Sequence, residues 1–184
     1  MTEDICRAWI KEYSKIIVSL LKDSKNILDV STGDGLNIEL ILGALPNAYL
    51  VSIDEVKNNI LEAEKRFHNY IESKRLKLML MNLSKFEFPE RSFDSVVSFG
   101  TLHRVKDIIS TLSEIIRVTK ENGVIILCDW STSAAYLKCI EENPQKLANT
   151  MSIVFSEVGK MDYVMEFIAI LAPVYIIVIR KKKQ

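Results

Sequence analysis

Asn26-Ile-Leu-Asp-Val-Ser-Thr-Gly-Asp-Gly35 decides the fold. Residues 26–30 are a short, mostly apolar run broken by one aspartate, the pattern of a strand buried on both faces. Gly33 and Gly35 let the chain turn tightly, and helical spacing starts at once through Leu36, Ile38, Leu40 and Leu42. A strand that runs through such a turn into a helix leaves a cradle at the carboxyl edge of a sheet. Backbone amides and the helix N-terminus there face whatever binds.

Working outward, the same alternation repeats. Tyr49–Ile53 reads as a second strand, Val56–Ile71 as a long amphipathic helix, and Leu76–Met81 as a third strand. Asp94–Phe99 is the fourth, after a turn region around Pro89. A helix over Ile108–Val118, a turn at Asn122-Gly123 and a fifth strand at Val124–Cys128 follow. Asp4–Lys22 spaces Ile5, Trp9, Tyr13, Ile16, Ile17 and Leu20 as a leading helix does, and Ser133–Val158 reads as two helical pieces parted by Pro144. Tyr163–Ala169 and Val174–Ile179 leave no room for a helix between them, so they should pair antiparallel through Ala172-Pro173.

The expected fold is α/β: a Rossmann-like three-layer sandwich whose seven-stranded, mostly parallel sheet ends in a C-terminal antiparallel hairpin. Five β-α units precede that hairpin. One domain spans residues 1–184, with a leading helix (1–25), a cofactor-binding core (26–130), substrate-covering helices (131–160) and the terminal hairpin (161–184).

Composition narrows the function classes. Twenty-four basic residues balance 24 acidic ones in 184 residues, so nothing attracts a polyanion and nucleic acid is not an expected partner. The only basic run, Arg180–Lys183, reads as a solvated tail. Cys6, Cys128 and Cys139 are odd in number, lack CxxC spacing and follow no signal peptide, which fits reduced thiols in the cytoplasm. The longest apolar stretch, Phe167–Ile179, falls short of the roughly 20 residues of a membrane helix and is interrupted by Pro173. His68 and His103, the only histidines, lie near no ligand cluster, so no metal site is expected.

Asp54 closes the second strand, where a carboxylate accepts the hydroxyl protons of a ribose. Two ligand classes use this geometry. A dinucleotide needs its diphosphate over the helix start and a third glycine where this chain has Ile38. Asp29, Asp34 and Glu39 crowd the loop with negative charge, which repels a diphosphate. S-Adenosylmethionine has no phosphate and carries an ammonium and a sulfonium, which an acidic loop attracts. The loop points to the methyl donor rather than to NAD.

At these residues the chain resembles the class I S-adenosylmethionine-dependent methyltransferases, in particular their ubiquinone/menaquinone-biosynthesis (UbiE-like, type 11) group. Ile27–Gly35 is similar to that family's glycine-rich first motif, and Val51-Ser-Ile-Asp54 with Ile60, Leu61 and Ala63 to its second. Asn82–Asp94 keeps the register of the segment joining strands three and four. Leu102-His103, Asp107, Leu112, Glu114 and Arg117–Gly123 resemble the helix and turn that follow. The resemblance runs from about Asn26 to Asp129.

The resemblance implies S-adenosylmethionine as cofactor, S-adenosylhomocysteine as product, and particular roles. Asp29 would sit near the donor's ammonium, with Ser31, Gly33 and Gly35 along its methionine portion. Asp54 would hold the ribose and Glu55 lie beside the adenine, flanked by Asn82 and Leu83. Ser98 and Phe99 would pass close to the sulfur. Three positions depart from the family. Ser31 stands where glycine is usual, which costs about 1–3 kcal/mol if the backbone there has φ > 0. Asn82 replaces an aspartate, and Glu121-Asn122 replaces Pro-Gly.

The implied activity is methyl transfer to a small-molecule acceptor by in-line displacement. The leaving group departs neutral, so alignment and exclusion of water are the main tasks, and a base is needed only if the nucleophile must lose a proton. His103 is the one candidate base; packing against the following helix is the competing account of it. Trp9 and Tyr13 on the leading helix, and Trp130, Tyr136 and Met151 after strand five, lie in the regions expected to cover the acceptor. Ser98-Phe-Gly-Thr-Leu-His, in place of an Asn-Pro-Pro-Tyr-like motif, argues against a nucleobase or glutamine amino group as acceptor. The competing account of the whole chain is a non-catalytic methyltransferase-like module that binds the cofactor or a partner protein.

Overall fold

The sheet grows from the strand just quoted. In the computed structural model, which describes residues 3–130, 143–169 and 174–182, β1 (Asn26–Val30) lies between β2 (Tyr49–Asp54) and β4 (Phe93–Phe99). β3 (Leu76–Leu80), β5 (Thr119–Trp130), β6 (Tyr163–Ala169) and β7 (Val174–Lys181) complete seven strands in the order β3-β2-β1-β4-β5-β7-β6. β1 to β5 are parallel, and β7 inserts antiparallel between β5 and β6. This is the expected α/β sandwich with its terminal hairpin; the Ala172-Pro173 connection falls outside the described residues.

Period-2 alternation builds two cores from one sheet. Ile27, Ile126, Cys128, Ile176 and Val178 face α1 (Glu3–Leu21) and α2 (Leu36–Ala44), where Tyr13, Ile17, Leu21, Ile38 and Ile41 cover them. Leu28, Val30, Ile125, Leu127, Ile177 and Ile179 face the other way, under Leu112 and Ile115 of α5 (Ile108–Val118) and Val154 and Val158 of α6 (Pro144–Gly159). The ends of these helices are legible in their caps. The Asp107 carboxylate accepts Ser110 N–H at 3.0 Å, and the Asn143 side chain accepts Gln145 N–H at 2.9 Å just ahead of Pro144. The first of the two helical pieces expected over Ser133–Val158 falls largely on residues 131–142, outside the described residues.

Three details differ from the sequence expectation. The single helix expected over Val56–Ile71 is two, α3 (Lys57–Arg66) and α4 (His68–Glu72), parted at Phe67, whose ring packs under Gly35. Residues 81–92 join β3 to β4 without a helix, so there are not five β-α units. That segment is pinned instead by its aromatics and by one arginine. Phe88 meets Phe93 edge-on at 5.0 Å, and the Arg117 guanidinium donates to the Phe86 and Phe88 carbonyls at 3.1 and 2.8 Å. Finally, β5 already pairs at Thr119 with Phe93, and Lys120–Gly123 bulge opposite Asp94 before pairing resumes at Val124. A side chain at Gly123 would meet the Asp94 and Lys120 carbonyl oxygens at 2.8 and 2.9 Å, which is why glycine ends that excursion. Among the described residues no helix is long and apolar enough to cross a membrane.

Candidate functional site

The strand order reverses between β1 and β4, the place where α/β sheets bind ligands. An open cavity of about 380 Å³ lies there, at the carboxyl ends of the strands. Ser31, Gly33 and Asp34 form one wall, and Asp54, Glu55, Val56 and Asn59 a second. Phe99, Gly100, Thr101, Arg104 and Val105 come from the turn after β4, with Leu83 and Trp130 beside them. Its size falls within the range of small-molecule pockets.

The loop after β1 is held by β2. The Ser31 and Thr32 amides both donate to the Ile53 carbonyl, at 2.9 and 3.0 Å, and Gly33 N–H donates to Asp54 Oδ2 at 3.0 Å. The chain manages this with three left-handed residues, Ser31 (φ 76°), Gly33 (φ 50°) and Gly35 (φ 84°). The strain foreseen for a serine at position 31 is therefore present. The two glycines differ in purpose. A Cβ on Gly33 would touch nothing nearer than the Ser31 carbonyl at 4.0 Å, so its missing side chain opens the cavity. A Cβ on Gly35 would strike the Phe67 ring, so that glycine serves packing.

Asp54 is buried yet reaches the cavity. Besides Gly33 N–H, its carboxylate accepts Val56 N–H at 2.8 Å and Asn59 Nδ2 at 3.0 Å. Glu55, by contrast, is exposed and lines both this cavity and a shallower pocket formed with Leu80, Met81 and Asn82.

The sequence-predicted residues divide accordingly. Ser31, Gly33, Asp54, Glu55, Leu83 and Phe99 come together on the cavity wall. Asn82 stands one pocket away, its Oδ1 accepting Ser84 N–H at 2.8 Å. Ser98 is buried on the sheet face opposite Phe99. Asp29 lies beneath the loop with no exposed surface. There it accepts Asn37 Nδ2 and the Ser52 hydroxyl, both at 2.7 Å. Tyr13 donates to Asn37 Oδ1 at 2.7 Å, and the Thr32 hydroxyl, 2.7 Å from that of Ser52, completes the chain. Burial pushes the Asp29 carboxyl up to about 7, against the hydrogen bonds from Asn37 and Ser52. Tyr13 is thus a core residue whose ring lies 5.2 Å from that of Phe99. Met151 is half-buried against the core on the α5 side, whereas the Trp9 side chain and Tyr136 fall outside the described residues.

His103, the candidate base, is fully buried and does not line the cavity. Its Nδ1 lies 2.7 Å from Asp129 Oδ1, and its Nε2 accepts Arg104 Nε–H at 3.1 Å. Sequence alone missed Val56, Asn59, Gly100, Thr101, Arg104 and Val105, whereas Trp130, named among the residues of the acceptor-covering regions, does line the cavity. Arg104 and Val105 were within reach, since they follow directly on the Leu102-His103 already singled out. Among the described residues no group of three or more His, Cys, Asp or Glu side chains could hold a metal ion.

Residues 21–169 match the family described as a methyltransferase domain. The chain belongs to that family. The matched span takes in every wall residue of the cavity. The demethylmenaquinone methyltransferase of Streptomyces avermitilis is 31% identical over 126 residues, 68% of this chain and 50% of the relative. The ubiquinone/menaquinone biosynthesis C-methyltransferase UbiE of Desulfotalea psychrophila is 29% identical over 108 residues, 59% of this chain and 42% of the relative. The methyltransferase domain described here thus spans about half the length of the curated relatives it matches. Among solved structures, a SAM dependent methyltransferase from Aquifex aeolicus shares the fold with a TM-score of 0.72 and 15% identity, covering 90% of this chain and 88% of that one.

Proposed function

We propose that this domain transfers a methyl group from S-adenosylmethionine to a small, planar, apolar acceptor. The cavity at the β1–β4 switch point carries the reading, because its chemistry is divided as such a reaction requires. Asp34, Asp54 and Glu55 supply negative charge at one side for a cationic nucleoside, and no glycine-rich diphosphate turn competes. Phe99, Val105 and Trp130 supply apolar surface on the other, with the Phe99 and Trp130 rings 5.6 Å apart. Relatives named for demethylmenaquinone and for ubiquinone/menaquinone biosynthesis support a quinone-like ring as the acceptor.

In this reading Asp54 takes the ribose hydroxyls, while Glu55 and Leu83 flank the adenine, with Asn82 at its outer edge. Ser31 and Gly33 run along the methionine portion and Phe99 lies nearest the sulfur. Asp29 and Gly35 shape the loop from below. When bound, the donor supplies a methyl group on a sulfonium that leaves as a neutral thioether. The chain's own contribution is then alignment and exclusion of water. His103 is given no proton to move, since it is fully buried and does not line the cavity.

Titration calorimetry with S-adenosylmethionine and S-adenosylhomocysteine, followed by transfer of labelled methyl to a panel of quinols and phenols, tests this. Binding with transfer supports it. Binding without transfer on any acceptor would favour the non-catalytic module, and no heat from either nucleoside would overturn the donor assignment itself.

A further inference from the structure

We propose that Asn59 is a second ribose-recognising residue, so that Asp54 takes one hydroxyl of the donor's ribose and the Asn59 amide oxygen takes the other. The inference rests on the donor assignment above and narrows its ribose contacts by counting acceptors. A carboxylate has about four lone-pair positions, two on each oxygen. On Asp54, Oδ2 accepts Gly33 N–H and Asn59 Nδ2–H, both at 3.0 Å, with the Ser31 hydroxyl 3.4 Å away. Oδ1 accepts Val56 N–H at 2.8 Å. Among the described residues that leaves one position, on Oδ1. A ribose brings two neighbouring hydroxyls, and their protons need two acceptors.

Asn59 supplies the second. Its side chain lines the same cavity as Asp54. The nitrogen of the amide is the atom that faces Asp54, because an ionised carboxylate only accepts. That bond sets the amide plane and leaves Asn59 Oδ1 beside the carboxylate as an acceptor, to which no described residue donates. Local sequence also marks the position. Val56, Lys57 and Asn58 are exposed at the start of α3, whereas Asn59 is half-buried, its backbone N–H donating to the Val56 carbonyl at 3.1 Å. Asparagine is a weak helix former because its amide competes for nearby backbone groups. Here the amide is directed at Asp54 instead. The hydroxyl bound by the carboxylate makes a charge-assisted hydrogen bond and the one bound by the amide does not, so the two should differ in weight.

The probes are S-adenosylhomocysteine and its 2′-deoxy and 3′-deoxy forms, titrated calorimetrically into the full chain. The unmutated protein should bind one deoxy form about 10–100-fold more weakly, where Asp54 loses its hydroxyl, and the other about 3–10-fold more weakly, where Asn59 does. Asn59→Leu is close in shape and favours the helix, and its branch fills the place of the amide, so no hydroxyl can move onto Asp54 Oδ2. It should weaken S-adenosylhomocysteine about 3–10-fold and the more penalised deoxy form by the same factor. The less penalised deoxy form should bind the variant as it binds the unmutated protein. A residue that only steadied Asp54 would lower all three affinities together or shrink both deletion penalties. Either result would overturn the proposal, as would an unchanged affinity of Asn59→Leu for S-adenosylhomocysteine. If the unmutated protein bound none of the three, the donor assignment itself would have failed.

Discussion

The Asp54 carboxylate accepts the Gly33 amide at 3.0 Å, so the end of β2 and the loop after β1 are one hydrogen-bonded unit. The same carboxylate also accepts Val56 N–H and Asn59 Nδ2. A group with three protein donors cannot be a ligand contact alone. Asp54→Ala should therefore weaken S-adenosylhomocysteine by about 2–4 kcal/mol and also lower folding stability by about 2–4 kcal/mol, since buried donors lose their acceptor. Calorimetry and urea unfolding on the same sample check both. Loss of affinity with unchanged stability would contradict the bonding seen in the loop.

Ser31 adopts φ 76° in a loop where glycine would do so without strain. Its hydroxyl recovers little, lying 3.4 Å from Asp54 Oδ2. Ser31→Gly should raise stability by up to about 1 kcal/mol, the left-handed strain relieved exceeding the extra chain entropy of glycine. Ser31→Ala keeps the Cβ and should bring no gain. Urea midpoints for the pair decide the matter; equal midpoints would show that the backbone, not the side chain, sets the energy of the loop.

The fold was legible because each strand carries its own signal. Ile27–Val30, Leu50–Ile53 and Val124–Cys128 are continuous buried runs, and every one of them lies in a strand of the sheet. The site was legible where function and local pattern coincide. Gly33 and Asp54 announce themselves by position relative to strand ends, and both reach the cavity. What escaped depends on contacts between distant segments. Nothing in the run Val56–Ile71 reveals that Phe67 must break the helix to fit beneath Gly35. Nothing near His103 reveals that it is fully buried with Asp129, 26 residues on, 2.7 Å from its ring.

Gly35 and Phe67 offer a test of that packing. A Cβ at position 35 would overlap Phe67 Cε2, on backbone with φ 84°. Gly35→Ala should cost about 2–4 kcal/mol through overpacking and left-handed strain together. Phe67→Leu removes the ring and with it the steric part. The double variant should thus be more stable than the sum of the two single losses predicts, by about 1 kcal/mol or more. Strict additivity in denaturant unfolding would show that the conformational strain accounts for the whole cost.

Asp29 makes stability depend on pH. Its carboxyl rises from an ordinary value of 3.8 to about 7 in the fold, first because burial penalises the charge. A carboxyl raised by folding keeps its proton in the native state while the unfolded chain has already released it. Its favourable contribution is therefore complete below about pH 4 and is lost as pH climbs to 7, a change on the order of 4 kcal/mol. Asp29→Asn removes this titration without removing the partners, because Asn37 can still donate to the amide oxygen and the Ser52 hydroxyl can turn to accept. Other carboxylates titrate in the same window in both proteins, so the difference between them isolates position 29. Unfolding in urea at a series of pH values should find the variant gaining on the unmutated protein from pH 4 to 7 and holding its lead above. Parallel curves would mean that the fold stabilises the charged and neutral forms of Asp29 equally.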